Sequence, residues 1–156
     1  MMRQLLTLLG FVSALLMPSL AAAGGIILSV RAGDEVHEYT IAELRALGEV
    51  EVATSTIWTE GEQAFVGVPL KTLMNGLGVE TGIVTASAVN DYAVEIPLTD
   101  TDGRAPIIAY ERNGQTMSLR DKGPLWVIYP YDADPAYRTE ETYSRSIWQL
   151  NRLSVQ

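Results

Sequence analysis

Five consecutive residues, 125–129, are nearly all apolar and lie between Pro124 and Pro130. An uninterrupted apolar run of this length predicts a central strand that is buried on both faces. Pro130 ends the strand because proline cannot donate a ladder hydrogen bond, and the residues after it are expected in a loop. The other segments of the chain therefore have to supply the neighbouring strands and the layers that cover them.

Short alternating or β-branched segments elsewhere in the chain predict further strands. Turn signals separate them, among which Gly33-Asp34 and Asn113-Gly114 indicate hairpins. A polar loop or short helix is expected before the last strand. The predicted strands besides the central one are residues 26–31, 35–39, 49–56, 84–89, 93–96, 106–112 and 147–155.

Two segments predict helices. Thr40 and Glu43 form a capping-box pattern, and the residues that follow place Ile41, Leu44 and Leu47 on one helical face. The second helix starts at Pro69 and has an apolar stripe made of Leu70, Leu73, Met74 and Leu77. Two helices among scattered strands do not give a regular βαβ alternation, which disfavours a doubly wound parallel sheet. The pattern predicts a compact, β-rich α+β domain with a mixed sheet.

The first 23 residues predict a secretory signal peptide. Arg3 is basic, residues 5–17 form an apolar stretch that is short for a membrane span, and residues 21–23 are alanines suited to cleavage. An uncleaved membrane anchor is the alternative. We expect an exported, periplasmic domain over residues 24–156, and packing alone has to hold it because the chain lacks cysteine.

The charge balance and the scarcity of metal ligands narrow the functional classes. The net charge of -8 disfavours binding to nucleic acid or to anionic lipid surfaces. The only histidine, His37, is expected at a sheet edge or facing solvent. The acidic run 100–103 predicts a turn with local Asx hydrogen bonds rather than a calcium loop. Motifs for a nucleophilic serine, a dinucleotide or a nucleoside triphosphate do not occur in the sequence.

Three short motifs follow one another along the chain: Gly67-Val68-Pro69-Leu70, Asn90-Asp91-Tyr92 and Gly123-Pro124-Leu125. The order and separation of these motifs make the chain resemble the molybdopterin-binding domain of the sulfite oxidase family over residues 26–155. The resemblance implies the mixed-sheet fold of that domain and a pocket for a pterin. Small exported, cysteine-free members of the family look like pterin-binding proteins, and some report their ligand state to membrane-bound signalling proteins, including regulators of cyclic di-GMP.

The metal ligand of that family is missing here. In its catalytic members a cysteine thiolate just before the first motif holds molybdenum, and this chain has no cysteine. The corresponding stretch, 54–59, offers hydroxyl groups and Trp58 instead. The resemblance therefore implies a pterin bound without molybdenum and no catalytic role.

The pterin itself defines the side chains that a pocket has to supply. Its flat faces require an aromatic slot, and its amino-pyrimidine edge requires acceptors such as carboxylates. Trp58 and Trp148 are suited to such a slot, but they are equally suited to the core. Residues 90–92 are also suited to a simple turn without any ligand contact. The basic residues Arg104, Arg112, Arg120 and Lys122 either contact a cofactor phosphate or are solvated. The predicted ligand-binding residues are Thr56, Trp58, Asn90, Asp91, Tyr92, Tyr131, Asp132, Arg145 and Trp148.

Three functions remain open from the sequence. The first is a periplasmic, non-catalytic pterin-binding protein that signals to the periplasmic domain of a membrane-bound partner. The second is an oxidoreductase that keeps the molybdenum cofactor through pterin and phosphate contacts, with a hydroxyl group or no side chain on the metal. The third is an interaction domain without a small ligand, in which Trp58, Tyr92, Tyr131 and Trp148 belong to the core.

Overall fold

The computed structural model describes residues 24–156, and the signal peptide predicted for residues 1–23 lies outside them. Within the described part, ten strands and three short helices alternate irregularly. The strands are β1 (Leu28–Ala32), β2 (Glu35–Tyr39), β3 (Val50–Ser55), β4 (Glu62–Pro69), β5 (Ile83–Ala88), β6 (Ala93–Pro97), β7 (Ile107–Arg112), β8 (Gln115–Thr116), β9 (Trp126–Ile128) and β10 (Leu150–Val155). The helices are α1 (Ile41–Ala46), α2 (Leu70–Gly76) and α3 (Glu140–Arg145).

The strands form two sheets. The first sheet has the order β2-β1-β10-β5-β6, in which only the β1–β10 pair is parallel among the described strands. In the second sheet β3, β4 and β7 are antiparallel neighbours, and β8 and β9 both pair with β7, one beyond the other. The prediction of a β-rich α+β domain with a mixed sheet is confirmed, as are the predicted strands, whose ends shift by a few residues.

Strand alternation places one face of the first sheet in the core and the other in solvent, as expected of a half-buried sheet. Leu28 and Val30 of β1 are fully buried, whereas Ser29 and Arg31 between and after them point outward. The buried side chains of both sheets belong to one apolar cluster, which also takes up Leu44 of α1. One core therefore holds both sheets together without a disulfide.

The central apolar run forms β9, which is shorter than predicted. Its three residues are all buried, as the sequence predicts, but only one of its edges pairs with a strand, β7. Residues 147–150 cover the other edge: the Val127 N–H donates to the Ile147 carbonyl at 2.9 Å, and the Leu150 N–H donates to the Leu125 carbonyl at 3.0 Å. The chain then enters β10 of the first sheet. Residues 147–150 therefore connect the two sheets, and we call this segment the joint between the sheets.

Strand β4 was not predicted, because Gly61, Gly67 and Pro69 suggest a loop followed by a helix. The structure places β4 between β3 and β7. Gly67 is required there, since a Cβ atom would overlap the carbonyl oxygen of Ile108 and lie 2.7 Å from the Cα atom of Ala109. The glycine that looks like a strand breaker thus permits two strands to approach closely.

The predicted helix starts are confirmed. The Thr40 N–H donates to the Glu43 carboxylate at 2.7 Å, and the Glu43 N–H donates to the Thr40 hydroxyl at 3.3 Å, which completes the capping box of α1. Helix α2 follows Pro69 directly and buries Leu70 and Leu73. Among residues 24–156 no helix has the length and apolar character needed to cross a membrane.

Candidate functional site

A cavity of about 280 Å³ lies beside the joint between the sheets. Four of its lining residues are aromatic, namely Trp58, Tyr92, Tyr143 and Trp148. Four others are polar but uncharged, namely Asn90, Ser144, Ser146 and Gln149, and Ala88 and Ile147 complete the wall. Ligand sites are typically apolar clefts with a few placed polar groups, and this lining fits that description.

Three separate segments bring these residues together. The loop between β3 and β4 supplies Trp58, and the turn between β5 and β6 supplies Asn90 and Tyr92. Helix α3 and the segment that follows it supply residues 143, 144 and 146–149. The register of β5 against β10 fixes the turn beside the last segment, and the Val89 N–H donates to the Gln149 carbonyl at 2.9 Å. The cavity is therefore a product of tertiary pairing.

Trp58 lies at the centre of an aromatic cluster. Its ring centroid lies 5.6 Å from Trp148, 5.8 Å from Tyr143 and 5.9 Å from Trp126, in edge-to-face arrangements. Trp126 is fully buried behind it, whereas Trp148 is 36% exposed and Tyr92 is 55% exposed. Trp58 thus packs against the core and also lines the cavity.

The segment 88–92 is a tight turn, as its Asn and Asp residues predict. The Asp91 N–H donates to the Ala88 carbonyl at 3.0 Å, and the Tyr92 N–H donates to the Asn90 side-chain oxygen at 3.3 Å. Asp91 has a positive φ of 66°, and its carboxylate accepts a 2.6 Å hydrogen bond from Arg152 rather than lining the cavity. The neighbours Asn90 and Tyr92 are the residues that face the cavity.

Tyr131 lies behind the cavity wall. It is 2% exposed, and its hydroxyl is 2.5 Å from the Ser146 hydroxyl. Burial raises the pKa of Tyr131 to about 12, although the hydrogen bond with Ser146 opposes this rise. Trp126 donates from its indole nitrogen to the Ser146 carbonyl at 3.1 Å. Tyr131 and Trp126 therefore fix the position of a lining residue without lining the cavity themselves.

Asp132 ties the loop after β9 to strand β3. Its carboxylate accepts hydrogen bonds from the Ser55 N–H at 2.6 Å and from the Ser55 hydroxyl at 2.7 Å. These bonds, led by the one from the backbone N–H, hold the pKa of Asp132 below its ordinary value. The Asp132 N–H donates in turn to the Thr54 hydroxyl at 3.1 Å. Asp132 thus anchors a loop and does not reach the cavity.

We expect Asp132→Asn to lower the melting temperature near neutral pH, because an amide cannot accept both Ser55 hydrogen bonds as a carboxylate does. A depressed pKa stabilises the fold above the unfolded value of about 3.9, and this contribution disappears as pH falls through the folded value. The melting temperatures of variant and wild type should therefore approach each other as pH falls below about 3.9. Glu80→Gln, at an exposed loop position, is the control. If the difference in melting temperature between variant and wild type were the same at neutral and at acid pH, this account would be contradicted.

Arg145 and Thr56 also lie outside the lining. Arg145 donates to Asp100 at 2.9 Å and to Glu141 at 2.7 Å, so its guanidinium group is paired with two carboxylates. The Thr56 hydroxyl is 2.8 Å from the Thr59 hydroxyl and accepts the Trp58 N–H at 3.1 Å. Of the nine residues predicted from the sequence, the structure brings Trp58, Asn90, Tyr92 and Trp148 together around the cavity, and the other five support its surroundings.

Ala88, Tyr143, Ser144, Ile147 and Gln149 were not anticipated as lining residues. A local signal for two of them exists in the sequence. Thr139, followed by two glutamates, is typical of a helix N-terminus, and its hydroxyl accepts the Thr142 N–H at 3.2 Å. The sequence left a polar loop or a short helix open before the last strand, and the structure has the short helix, α3, which carries Tyr143 and Ser144.

The fit of the cavity to a cofactor depends on charge. None of the lining residues in the described chain is ionised at neutral pH, and the predicted basic residues Arg104, Arg112, Arg120 and Lys122 do not line it. The Lys122 ammonium group does lie 4.8 Å from the ring centroid of the lining residue Trp148. A phosphate normally recruits several basic groups, so the lining itself favours an uncharged ligand over a phosphate-bearing cofactor. The hydroxyl of Thr56 makes local hydrogen bonds and does not reach the cavity. A flat, uncharged ring system does fit.

The potential metal ligands are dispersed. Within residues 24–156 no three His, Asp or Glu side chains converge so as to hold a metal ion. The Asp102 carboxylate accepts the Arg104 and Ala105 N–H groups at 2.6 and 2.8 Å, which confirms the predicted Asx turn. His37 lies on the edge strand β2, as predicted. No protein-family model matches the chain, and no curated protein matches it either.

Proposed function

We propose that the protein binds a pterin without molybdenum in the aromatic cavity and has no catalytic role of its own. In this proposal it is an exported, periplasmic member of the sulfite oxidase-like fold, and its ligand state is read by the periplasmic domain of a membrane-bound signalling protein, such as a cyclic di-GMP regulator. The observation that carries the proposal is the cavity itself, in which aromatic rings from three chain segments surround uncharged polar groups.

The lining offers the two kinds of contact that a pterin requires. Trp148 and Tyr92 are partly exposed rings at the cavity, suited to stack on the faces of a bicyclic ring. Asn90, Ser144 and Gln149 carry hydroxyl or amide groups, suited to the hydrogen-bonding edge. A neutral pterin has no charge to be desolvated in such a cavity, whereas a phosphate has.

Exposed apolar side chains near the cavity support the idea of a protein partner. Ile57 and Val89 are exposed and directly precede lining residues, and Leu119 is exposed where its carbonyl accepts the Gln149 side-chain amide at 2.7 Å. Tyr92 and Trp148 are exposed as well, and exposed apolar side chains of this kind are typical of interaction surfaces. A ligand changes such an interaction only by its differential affinity for the free and bound states.

The test of the proposal is ligand identification followed by titration. Mass spectrometry of protein purified from its native periplasm should detect a pterin, and added reduced pterins should raise the melting temperature. Trp148→Ala should weaken pterin binding by about 10-fold, because aromatic stacking on a base is worth roughly 1–3 kcal/mol. Val36→Ala, at an exposed apolar position on the first sheet, should leave binding unchanged.

Two results would overturn the proposal. One is the absence of any pterin from the purified protein together with no thermal shift on adding reduced pterins. The other is near-stoichiometric molybdenum in a metal analysis of the same preparation, which would support the oxidoreductase hypothesis instead.

A further inference from the structure

The solvent-facing side of the first sheet carries a shallow depression of about 240 Å³ that is separate from the aromatic cavity. Two arginines and three serines from three adjacent strands give it its polar character: Arg31 and Ser29 of β1, Arg152 and Ser154 of β10, and Ser87 of β5. We call these five residues the arginine depression. A chain with a net charge of -8 thus has a local surface made of cationic and hydroxyl donors.

The strand register explains why these side chains meet. Ser29 is the partner of Arg152 and Arg31 is the partner of Ser154 in the parallel β1–β10 pair, and Ser87 is the partner of Arg152 on the other side. Strand spacing and rise place the two arginine Cα atoms diagonally, about 8 Å apart. Arginine side chains are long enough to direct both guanidinium groups at one small group between them.

Most of these donors are free. Arg31 forms no ion pair or side-chain hydrogen bond with any residue in the described range, and neither do the hydroxyl groups of Ser29, Ser87 and Ser154. Arg152 donates to a carboxylate oxygen of Asp91 at 2.6 Å, on the turn beside the cavity. That bond engages one nitrogen of the guanidinium group, and its other N–H groups have no partner among the described residues.

We propose that the arginine depression binds a small oxyanion of the phosphate or sulfate class. Two guanidinium groups supply charge-assisted hydrogen bonds, and serine hydroxyls supply neutral ones to the remaining oxygens. Glu38 on β2 and Glu95 on β6 project from the same face on either side. A small oxyanion fits between these carboxylates, whereas an extended anionic surface such as a bilayer would have to approach both of them, so the ligand is a free oxyanion rather than a lipid headgroup.

The test is a titration followed by amide chemical shifts in the intact protein. Inorganic phosphate and sulfate should produce saturable shifts at Ser29, Ser87 and Arg152, with a dissociation constant of about 1 mM. Sodium chloride at matched ionic strength should not produce them. Arg31→Gln should weaken phosphate binding by about 10-fold through loss of one charged donor. Arg104→Gln, which removes an exposed cation elsewhere, should not change it.

Four outcomes would overturn the proposal: no saturable shifts with phosphate or sulfate, equal shifts with chloride, unchanged phosphate binding in Arg31→Gln, or binding to phosphatidylglycerol vesicles without binding to free phosphate. The pterin proposal is tested independently, because no residue of the arginine depression lines the aromatic cavity. A failed phosphate titration therefore leaves the pterin experiment informative, and the reverse also holds.

Discussion

Gly123→Ala is expected to lower the free energy of unfolding by about 3 kcal/mol, measured by urea denaturation. A Cβ atom at this position would overlap the carbonyl oxygen of Met117 and lie 2.7 Å from the Met117 Cβ atom. The Gly123 N–H also donates to the Ser118 carbonyl at 2.8 Å, which holds the two backbones together. Relief of the overlap requires backbone movement next to the buried strand β9.

Gly76→Ala is the matched control for this prediction. A Cβ atom on Gly76 would have no heavy atom within 4 Å, and the residue ends helix α2, where alanine is the better helix former. We expect no loss of stability in the control and a loss in Gly67→Ala similar to that in Gly123→Ala. If Gly123→Ala and Gly76→Ala were equally stable, the close approach of the Gly123 backbone to Met117 would be contradicted.

Trp126→Ala is expected to cost about 4 kcal/mol of unfolding free energy. The side chain is fully buried and contacts Phe65 and Trp58 edge-to-face at centroid distances of 5.4 and 5.9 Å. Truncation leaves a large void and removes the indole donor from the Ser146 carbonyl. Because this void lies behind the wall of the aromatic cavity, ligand binding should weaken as well.

Two further variants separate the contributions of Trp126. Trp126→Phe keeps an aromatic ring but loses the indole N–H, so its cost should be smaller, about 1–3 kcal/mol. Trp148→Ala removes a ring that is 36% exposed, so it should cost less stability than Trp126→Ala while still reducing pterin binding. A greater loss of stability in Trp148→Ala than in Trp126→Ala would contradict the division into core and cavity tryptophans.

Local patterns predicted much of the fold. The capping box of Thr40 and Glu43, the apolar stripe of α2 and the Asn113-Gly114 hairpin depend on residues close in sequence, and all three occur as predicted. Strand β4 was missed because Gly67 is required by the close approach of a neighbouring strand. The periodicity of the local sequence cannot reveal such a contact. The short motifs at Gly67 and Gly123, on which the sequence resemblance rests, thus have a structural explanation in close backbone contacts.

The site was less predictable than the fold. Trp58, Tyr92 and Trp148 were chosen as aromatic residues near strand ends, and tertiary pairing does bring them to one cavity. Asp91 and Asp132 were chosen for their charge, but hydrogen bonds to distant residues direct both carboxylates elsewhere. Such partners lie more than 60 positions away in the chain, so no local pattern contains the information.

The tryptophans of the aromatic cluster provide an intrinsic spectroscopic signal that reports on the cavity. The chain has three tryptophans, and all three belong to the Trp58, Trp126 and Trp148 cluster. Intrinsic emission and near-ultraviolet circular dichroism therefore arise largely from the cavity and its wall, with no tryptophan background from the rest of the molecule. A ligand that absorbs where indole emits would quench this signal by energy transfer, so occupancy can be followed without a label.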